Sequence, residues 1–329
     1  MSRRAALVVL GALVAASLLT GCAGPAGLQV EAYVEPGGRA VHRVRDAVPL
    51  ASTIGIDGMT VASDGATLET PPGGLDTLAA TANGGGAAAE LLVSNYAEEL
   101  GDFSPRVGTA LLSSATNRER VARQLATAAE RSGMRGVQID LESLRARDRA
   151  GLVSFAAAVR TAVHDRIGPD ATVSMAVMAS TDGAGYRDTG YDLRALMEHV
   201  DRFVLMTYDQ HGPWSSPGTV GSLPWTERVV RAAQRQGLTT DRIDLGIAGY
   251  GYVWGGGADR LLSPAAARSA AGDAATWSRR DGEWSATLGD GRELHWSDAR
   301  SYRVRTALAT ELGLHGVALW SLDTMPLPH

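Results

Sequence analysis

Eight short apolar runs rich in β-branched residues recur along this chain, separated by stretches with helical spacing. That alternation limits the fold more than any other feature. The runs are Gln29 to Val34, Leu50 to Ile56, Ala89 to Ser94, Gly136 to Glu142, Thr172 to Val177, Arg202 to Thr207, Ile243 to Gly249 and Gly316 to Trp320. Asn117 to Ser132, Arg149 to His164 and Trp225 to Gln236 carry apolar residues at the spacing of an amphipathic helix. Strand and helix alternating over about 250 residues or more predict an α/β chain folded as a (β/α)8 (TIM) barrel. A doubly wound open sheet is the structural rival. It usually carries a Gly-rich phosphate loop after its first strand, and none follows Val34. The barrel is expected over residues 29–329.

One segment breaks the rhythm. Gly255-Gly256-Gly257 is followed by a helix-like run from Pro264 to Ala271, then by Thr276 to Trp284 and a hairpin turn at Asp290-Gly291. This predicts a small α+β insertion after strand seven, at about 255–296. Only nine residues follow Trp320, so the eighth helix is expected to be absent or a single turn.

The fourth run, Gly136-Val137-Gln138-Ile139-Asp140-Leu141-Glu142, carries the functional argument. Side chains alternate faces along a strand. Val137, Ile139 and Leu141 suit packing against outer helices, which leaves Gln138, Asp140 and Glu142 pointing into the barrel. Two carboxylates buried there cost several kcal/mol unless they are paired or share a proton. Active sites of this fold lie at the C-terminal ends of the strands, where Glu142 falls. Alternate residues are about 6.6 Å apart along a strand, so the two carboxyls can lean together. A neighbouring negative charge raises the pKa of a partly buried Glu. Such a group stays protonated near neutral pH, as a general acid requires. The plainer alternative makes both acids solvated strand-end residues, with Glu142 or Ser143 capping the next helix.

Gly-x-Gln-x-Asp-x-Glu resembles the Asp-Gly-x-Asp-x-Asp-x-Glu strand of glycoside hydrolase family 18, the chitinase-like barrels, and most of all its spore-germination and cortex-lytic branch. Arg135 stands where that family has its first Asp, and Gln138 where Asp or Asn is common. Met206-Thr207-Tyr208-Asp209 matches the family's Met-x-Tyr-Asp motif. Leu245-Gly246-Ile247 through Tyr250-Gly251-Tyr252 resembles strand seven, and Gly316-Val317-Ala318-Leu319-Trp320 resembles strand eight. The likeness runs from about Val30 to Trp320.

The resemblance implies a glycosidase acting next to N-acetylglucosamine (GlcNAc) in peptidoglycan or chitin-like glycans, by substrate-assisted retaining catalysis. It assigns Glu142 as proton donor, Asp140 as the group orienting the acetamide and Tyr208 as a hydrogen-bond donor to it. Asp209 helps hold the sugar and Trp320 stacks on its face. Gln138, Met206 and Asn95, the last of which ends strand three, are further candidates for contact with substrate. Tyr208 and Trp320 also have plainer readings, as packing inside the barrel. Two rival functions stay open: a catalytically silent sugar-binding protein of the same fold, and an enzyme of another carbohydrate class.

No cofactor is implied. Seven histidines are scattered without ligand spacing, so no metal site is expected. A net charge of -5 makes nucleic acid an improbable partner, and a monomer is expected. The N-terminus has Arg3 and Arg4, an apolar run from Ala5 to Leu19, and then Leu19-Thr20-Gly21-Cys22. A charged start, a short apolar stretch and small residues describe a secretory signal over residues 1–21. Leu-x-Gly-Cys resembles the bacterial lipoprotein box, in which Cys22 carries lipid and residues 22–28 form a short linker. That predicts a secreted protein held on the outer face of a membrane, each buried CH2 adding about 0.8 kcal/mol. An ordinary signal with an incidental cysteine is the alternative. Cys22 is the only cysteine, so the folded part holds no disulfide.

Overall fold

The computed structural model describes residues 27–71, 73–256 and 260–329. The signal segment, Cys22 and linker residues 22–26 lie outside these residues, as does Gly257 of the glycine run. Eight parallel strands close into a barrel: β1 (Gln29–Val34), β2 (Thr53–Val61), β3 (Ala88–Ser94), β4 (Gly136–Asp140), β5 (Thr172–Met178), β6 (Arg202–Met206), β7 (Ile243–Ala248) and β8 (Gly316–Trp320). Ala32 pairs with Ile54 of β2 on one side and with Leu319 of β8 on the other, so the ring has no open edge.

Several strand limits differ from the sequence reading by a few residues, and two of them have plain local causes. β2 begins at Thr53, not Leu50, because Leu50 and Ala51 donate their N–H groups back to the Ala47 carbonyl at 2.9 and 3.0 Å and finish the preceding helix. β4 ends at Asp140, and Glu142 sits in the loop just past the strand. Its ladder with β3 stops at Ser94↔Asp140.

The outer helices start where the sequence supplies caps. Ser104 and Ser114 accept hydrogen bonds from Val107 and Asn117, opening the helices Pro105–Leu112 and Ala115–Arg131. Asp298 accepts from Arg300 and Ser301 at the head of Ala299–Glu311. Outward strand residues such as Val137, Ile139, Phe203, Leu245 and Val317 are fully buried against this helical layer and form the main core. After Trp320 the chain makes only turns, and Leu322, Met325 and Leu327 fold back into that core.

The insertion starts at Gly251, earlier than 255, because Gly251–Trp254 pairs antiparallel with Glu293–Trp296. Together with Arg260–Leu262, Glu283–Thr287 and Thr276–Ser278 these form a five-stranded sheet, on which the helix Pro264–Ala271 packs. Asp290-Gly291 turns the hairpin between the strands ending at Thr287 and starting at Glu293. Buried Glu283 fastens this unit to the barrel. It accepts from the Val220 and Gly221 N–H groups at 2.9 and 2.7 Å and pairs with Arg305 at 2.7 Å.

Strand alternation stacks the barrel interior in layers. The lowest is charged: buried Arg202 on β6 reaches Glu31 of β1 at 2.6 Å, Glu90 of β3 at 2.7 Å and Asp244 of β7 at 2.7 Å. Burial pushes Glu31 up to about 7, against the pull of Arg202. Above it lies an apolar layer of Tyr33, Leu92, Val204 and Ala318, capped by Trp320. A Cβ on Gly55 would sit 2.4 Å from the Tyr33 ring, so glycine on β2 makes room for that ring.

Among the described residues Arg202 is the one cation that touches all three buried carboxylates; without it Glu31 and Glu90 lose their ion pairs, while Asp244 keeps only His315 Nδ1 at 2.6 Å. Arg202→Leu is expected to lower unfolding free energy by about 3–5 kcal/mol. Urea denaturation at neutral pH measures this; an unchanged midpoint would show that the network carries no net stability.

Candidate active site

The mouth of the barrel opens into a cavity of about 820 Å³ at the C-terminal ends of the strands. Asp140, Glu142, Gln138, Met206, Tyr208, Asp209 and Trp320, drawn from β4, β6, β8 and the loops that follow them, all line it. Of the residues singled out in the sequence, Asn95 alone among those described does not. It is fully buried beneath the mouth, and its amide clamps the loop that carries Glu142. Asn95 Oδ1 accepts the Glu142 N–H at 2.9 Å, and Asn95 Nδ2 donates to the Glu142 carbonyl at 2.9 Å. Its expected role in touching substrate is therefore replaced by a structural one. A side-chain amide stands in for the strand partner that the Glu142 backbone lacks.

Gln138 lines the floor with its amide committed to the protein. It accepts from Tyr33 Oη at 2.7 Å and donates to Ser174 Oγ at 2.9 Å and to Glu31 Oε1 at 3.3 Å. It thereby links the cavity floor to the charged layer below. Asp140 is buried, and its Oδ1 has no hydrogen-bond partner among the described residues. Burial first, and then the charge of Asp57, push its pKa up to about 7. Glu142 is held well above the usual carboxylate range by burial, then by the negative charges of Asp140, Asp209 and Asp102. Both groups are thus biased toward keeping a proton near neutrality, and the pair can hold and move one.

Tyr208 is pushed well above the ordinary phenol value, mostly by burial, and so remains a hydrogen-bond donor. Its ring enters the mouth over Gly246, where an added Cβ would lie 3.0 Å from Tyr208 Cε1 and 2.5 Å from the Leu205 carbonyl. Asp209 accepts from Tyr250 Oη at 2.6 Å and Tyr252 Oη at 3.0 Å. These two hydroxyls pull its pKa down, but burial outweighs them and the net shift is upward. Trp320 meets Tyr33 at 5.2 Å between ring centroids, which tilts the indole across the floor.

Two of the described residues hold left-handed backbone without being glycine, Ser143 (φ 55°) and Asp209 (φ 59°). Each follows directly on a site residue, Glu142 and Tyr208. Such strain persists only where surrounding contacts enforce it. Around Glu142 those contacts are Asn95 and the Tyr191 hydroxyl, which donates to the Leu141 carbonyl at 3.0 Å. Around Asp209 they are the two tyrosines at the root of the insertion.

The sequence reading passed over several residues that shape this cavity. Asp57 lies on β2 beside a register shift between Asp57 and Met59 and lines the wall. Burial and the charges of Glu35 and Asp323 raise it to about 6. Tyr33 and Asp57 each sit at an inward position of a strand, so the alternation that exposed Asp140 could have found them.

A family model described as "Glycosyl hydrolases family 18" matches residues 101–324, more than half of the chain. The "Uncharacterized glycosylase YvbX" of Bacillus subtilis (strain 168) is 28% identical over 163 residues, 50% of this chain and 47% of that protein, so the chain spans about half of that relative's length. The "Cortical fragment-lytic enzyme" of the same organism is 28% identical over 313 residues, covering 90% of this chain and 71% of the relative. Among solved structures, a chitinase from Chromobacterium violaceum ATCC 12472 superposes with a TM-score of 0.80 at 21% identity, over 91% of this chain and 95% of the other, which shows a shared fold.

The raised pKa of Asp140 has a consequence for stability. Below about 4, the folded and unfolded states both hold its proton. As pH rises toward about 7 the unfolded chain releases the proton readily while the folded site resists, so stability is lost across that window. Asp140→Asn is expected to be more stable than the natural protein by at least about 1 kcal/mol above neutrality. Thermal melts across pH should show that gain shrinking as pH falls toward about 4. A gain that does not vary with pH would contradict the shift.

Proposed function

The chain belongs to glycosyl hydrolases family 18, and on that premise we propose that it hydrolyses β-1,4 linkages next to GlcNAc in peptidoglycan or chitin-like glycans by a substrate-assisted retaining mechanism. One observation carries the reading: Glu142, Asp140, Tyr208, Asp209 and Trp320 converge on a single cavity at the C-terminal mouth of the barrel. The cortical fragment-lytic enzyme and the chitinase among its relatives point the same way.

In the proposed cycle, the sugar on the non-reducing side of the scissile bond lies over Trp320. Glu142, kept protonated by burial and its acidic neighbours, gives its proton to the glycosidic oxygen. The 2-acetamido carbonyl oxygen of the same sugar attacks the anomeric carbon as the bond breaks, so no carboxylate is needed as nucleophile. Asp140, whose Oδ1 lacks a hydrogen-bond partner among the described residues, accepts the acetamide N–H and, ionised while Glu142 holds the pair's proton, offsets the positive charge of the oxazolinium ion. Tyr208 donates to the acetamide oxygen. Ionised Glu142 then takes a proton from water, which opens the ring with overall retention at the anomeric carbon.

Asp209, Met206 and Gln138 shape the pocket around that sugar. Retention of the acidic pair and Tyr208 argues against a silent sugar-binding protein. Leu19-Thr20-Gly21-Cys22 supports a second part of the proposal, that lipid on Cys22 anchors the enzyme to the outer face of a membrane.

Glu142→Gln removes the proton while keeping the shape of the side chain. Its kcat on a GlcNAc oligomer is expected to fall by about a thousandfold or more, with the melting temperature near that of the natural chain. Wild-type turnover by this variant would sink the assignment. Cys22→Ser in the full-length chain should move the protein from the membrane fraction into the soluble fraction; unchanged partition would remove the lipid anchor.

A further inference from the structure

The helix Ala115–Arg131 has two faces of different chemistry. Val121, Leu125, Ala126 and Ala129 are buried against the barrel. Arg120, Arg123, Thr127 and Arg131 recur at steps of three and four, so they share the outer face. Gln124 ties this helix to the segment after β2: it accepts the Leu68 N–H at 2.8 Å and donates to the Ala66 carbonyl at 3.1 Å. Between the helix and that segment lies another cavity, a trench of about 400 Å³ lined by all three arginines and by Thr70.

Two observations single this trench out. Thr70 also lines the catalytic cavity, so the trench opens beside the rim of the active site. The two spaces are also opposite in charge. Among the described residues, no basic side chain lines the catalytic cavity and no acidic one lines the trench. The arginines are largely uncommitted. Arg120 and Arg131 make no salt bridge among the described residues, and Arg123 meets Glu119 at 3.7 Å with both side chains 64% exposed, a weak pair. Nearby acids are engaged elsewhere: Asp64 accepts from the Ala66 and Thr67 N–H groups at 2.8 and 3.0 Å, and Glu130 pairs with Arg166 at 3.0 Å.

We propose that the trench binds the peptide branch of a muramic acid unit through the carboxylates of that branch, while the glycan bearing it lies in the catalytic cavity. The inference rests on the hydrolase reading above and narrows its substrate to peptidoglycan that still carries peptide. The reach agrees. Arg120 and Arg131 stand roughly 16 Å apart along the helix, at about 1.5 Å per residue. Four or five extended residues cover about 13–18 Å. Guanidinium groups match carboxylates with paired N–H donors. Met59 and Leu68 also line the trench and offer apolar contact to small side chains between the charges. A chitin chain has neither branch nor charge and gains nothing here.

Binding to the full chain carrying Glu142→Gln tests this without turnover. Three probes share one tetrasaccharide backbone of GlcNAc and muramic acid units. One carries tetrapeptide branches, one carries the same branches with their carboxylates amidated, and one has the branches removed. At low ionic strength the first is expected to bind about tenfold tighter than the bare backbone. That gain should vanish on amidation and collapse in about 0.5 M salt. Arg120→Gln, Arg123→Gln and Arg131→Gln, introduced together, should bring the ratio of peptide-bearing to bare binding close to one. Equal binding of those two probes, or a gain that survives amidation or salt, would overturn the proposal, whether the arginines then prove to hold anionic phospholipid vesicles, a second copy of the chain or neither. Amidation and salt are read on the unaltered trench, so they decide even if the triple substitution impairs folding. Hydrolysis of the bare backbone and of a GlcNAc oligomer by the natural enzyme is read separately. Its absence would fail the hydrolase reading while the binding ratio still decides this one.

Discussion

Closure of the sheet between β8 and β1 is the constraint on which the other features depend. Once β1 pairs on both sides, every strand has an inside and an outside, and the two-residue period of the pleat assigns each side chain to one of them. Outward residues meet helices and build the large apolar core. Inward residues have no helix to meet and must satisfy one another within a narrow space. The polar groups on alternate positions of β1, β3, β4, β6 and β7 are buried by this geometry, whatever their own preference for water.

The barrel handles its buried charge in two different ways. At the lower end, Arg202 draws three carboxylates from three other strands into direct ion pairs, and Ser174 and Gln138 use up remaining hydrogen-bonding capacity. At the upper end no cation among the described residues pairs with Asp140, Glu142 or Asp209, and the protein accepts the cost as raised pKa values. Stability given up at the mouth leaves acids that hold protons near neutrality, the condition under which they are chemically useful. Gln138 separates the two regimes. Where the family pattern commonly has Asp or Asn, Gln138 is tied by Tyr33, Ser174 and Glu31, and acidic influence on Asp140 comes from Asp57 on β2.

Positioning of the mouth is the work of residues outside it. Asn95 grips both backbone polar groups of Glu142, Tyr191 holds the preceding carbonyl, and Tyr250 and Tyr252 fasten Asp209 from the root of the insertion. The insertion is in turn moored by the buried Glu283–Arg305 pair. The two left-handed residues, Ser143 and Asp209, lie where these supports meet the loops after β4 and β6.

The chain by itself determined the eight strands, the pair of acids at the mouth end of β4 and the aromatic and acidic residues at the mouth ends of β6 and β8. These signals are periodic or local: a two-residue alternation, a seven-residue motif and a glycine turn can each be read without knowing what lies across the barrel. The ends of β2 and β4, the start of the insertion and the task of Asn95 were decided by tertiary structure, because each depends on a partner distant in sequence. Leu50 was claimed by the helix before it, Gly251 by a strand more than forty residues later, and Asn95 by a backbone with no ladder of its own. The charge balance around Asp140 was decided the same way. Asp57, Gln138 and Arg202 stand on three different strands, and only closure of the ring brings their fields to bear on one carboxyl or keeps them apart.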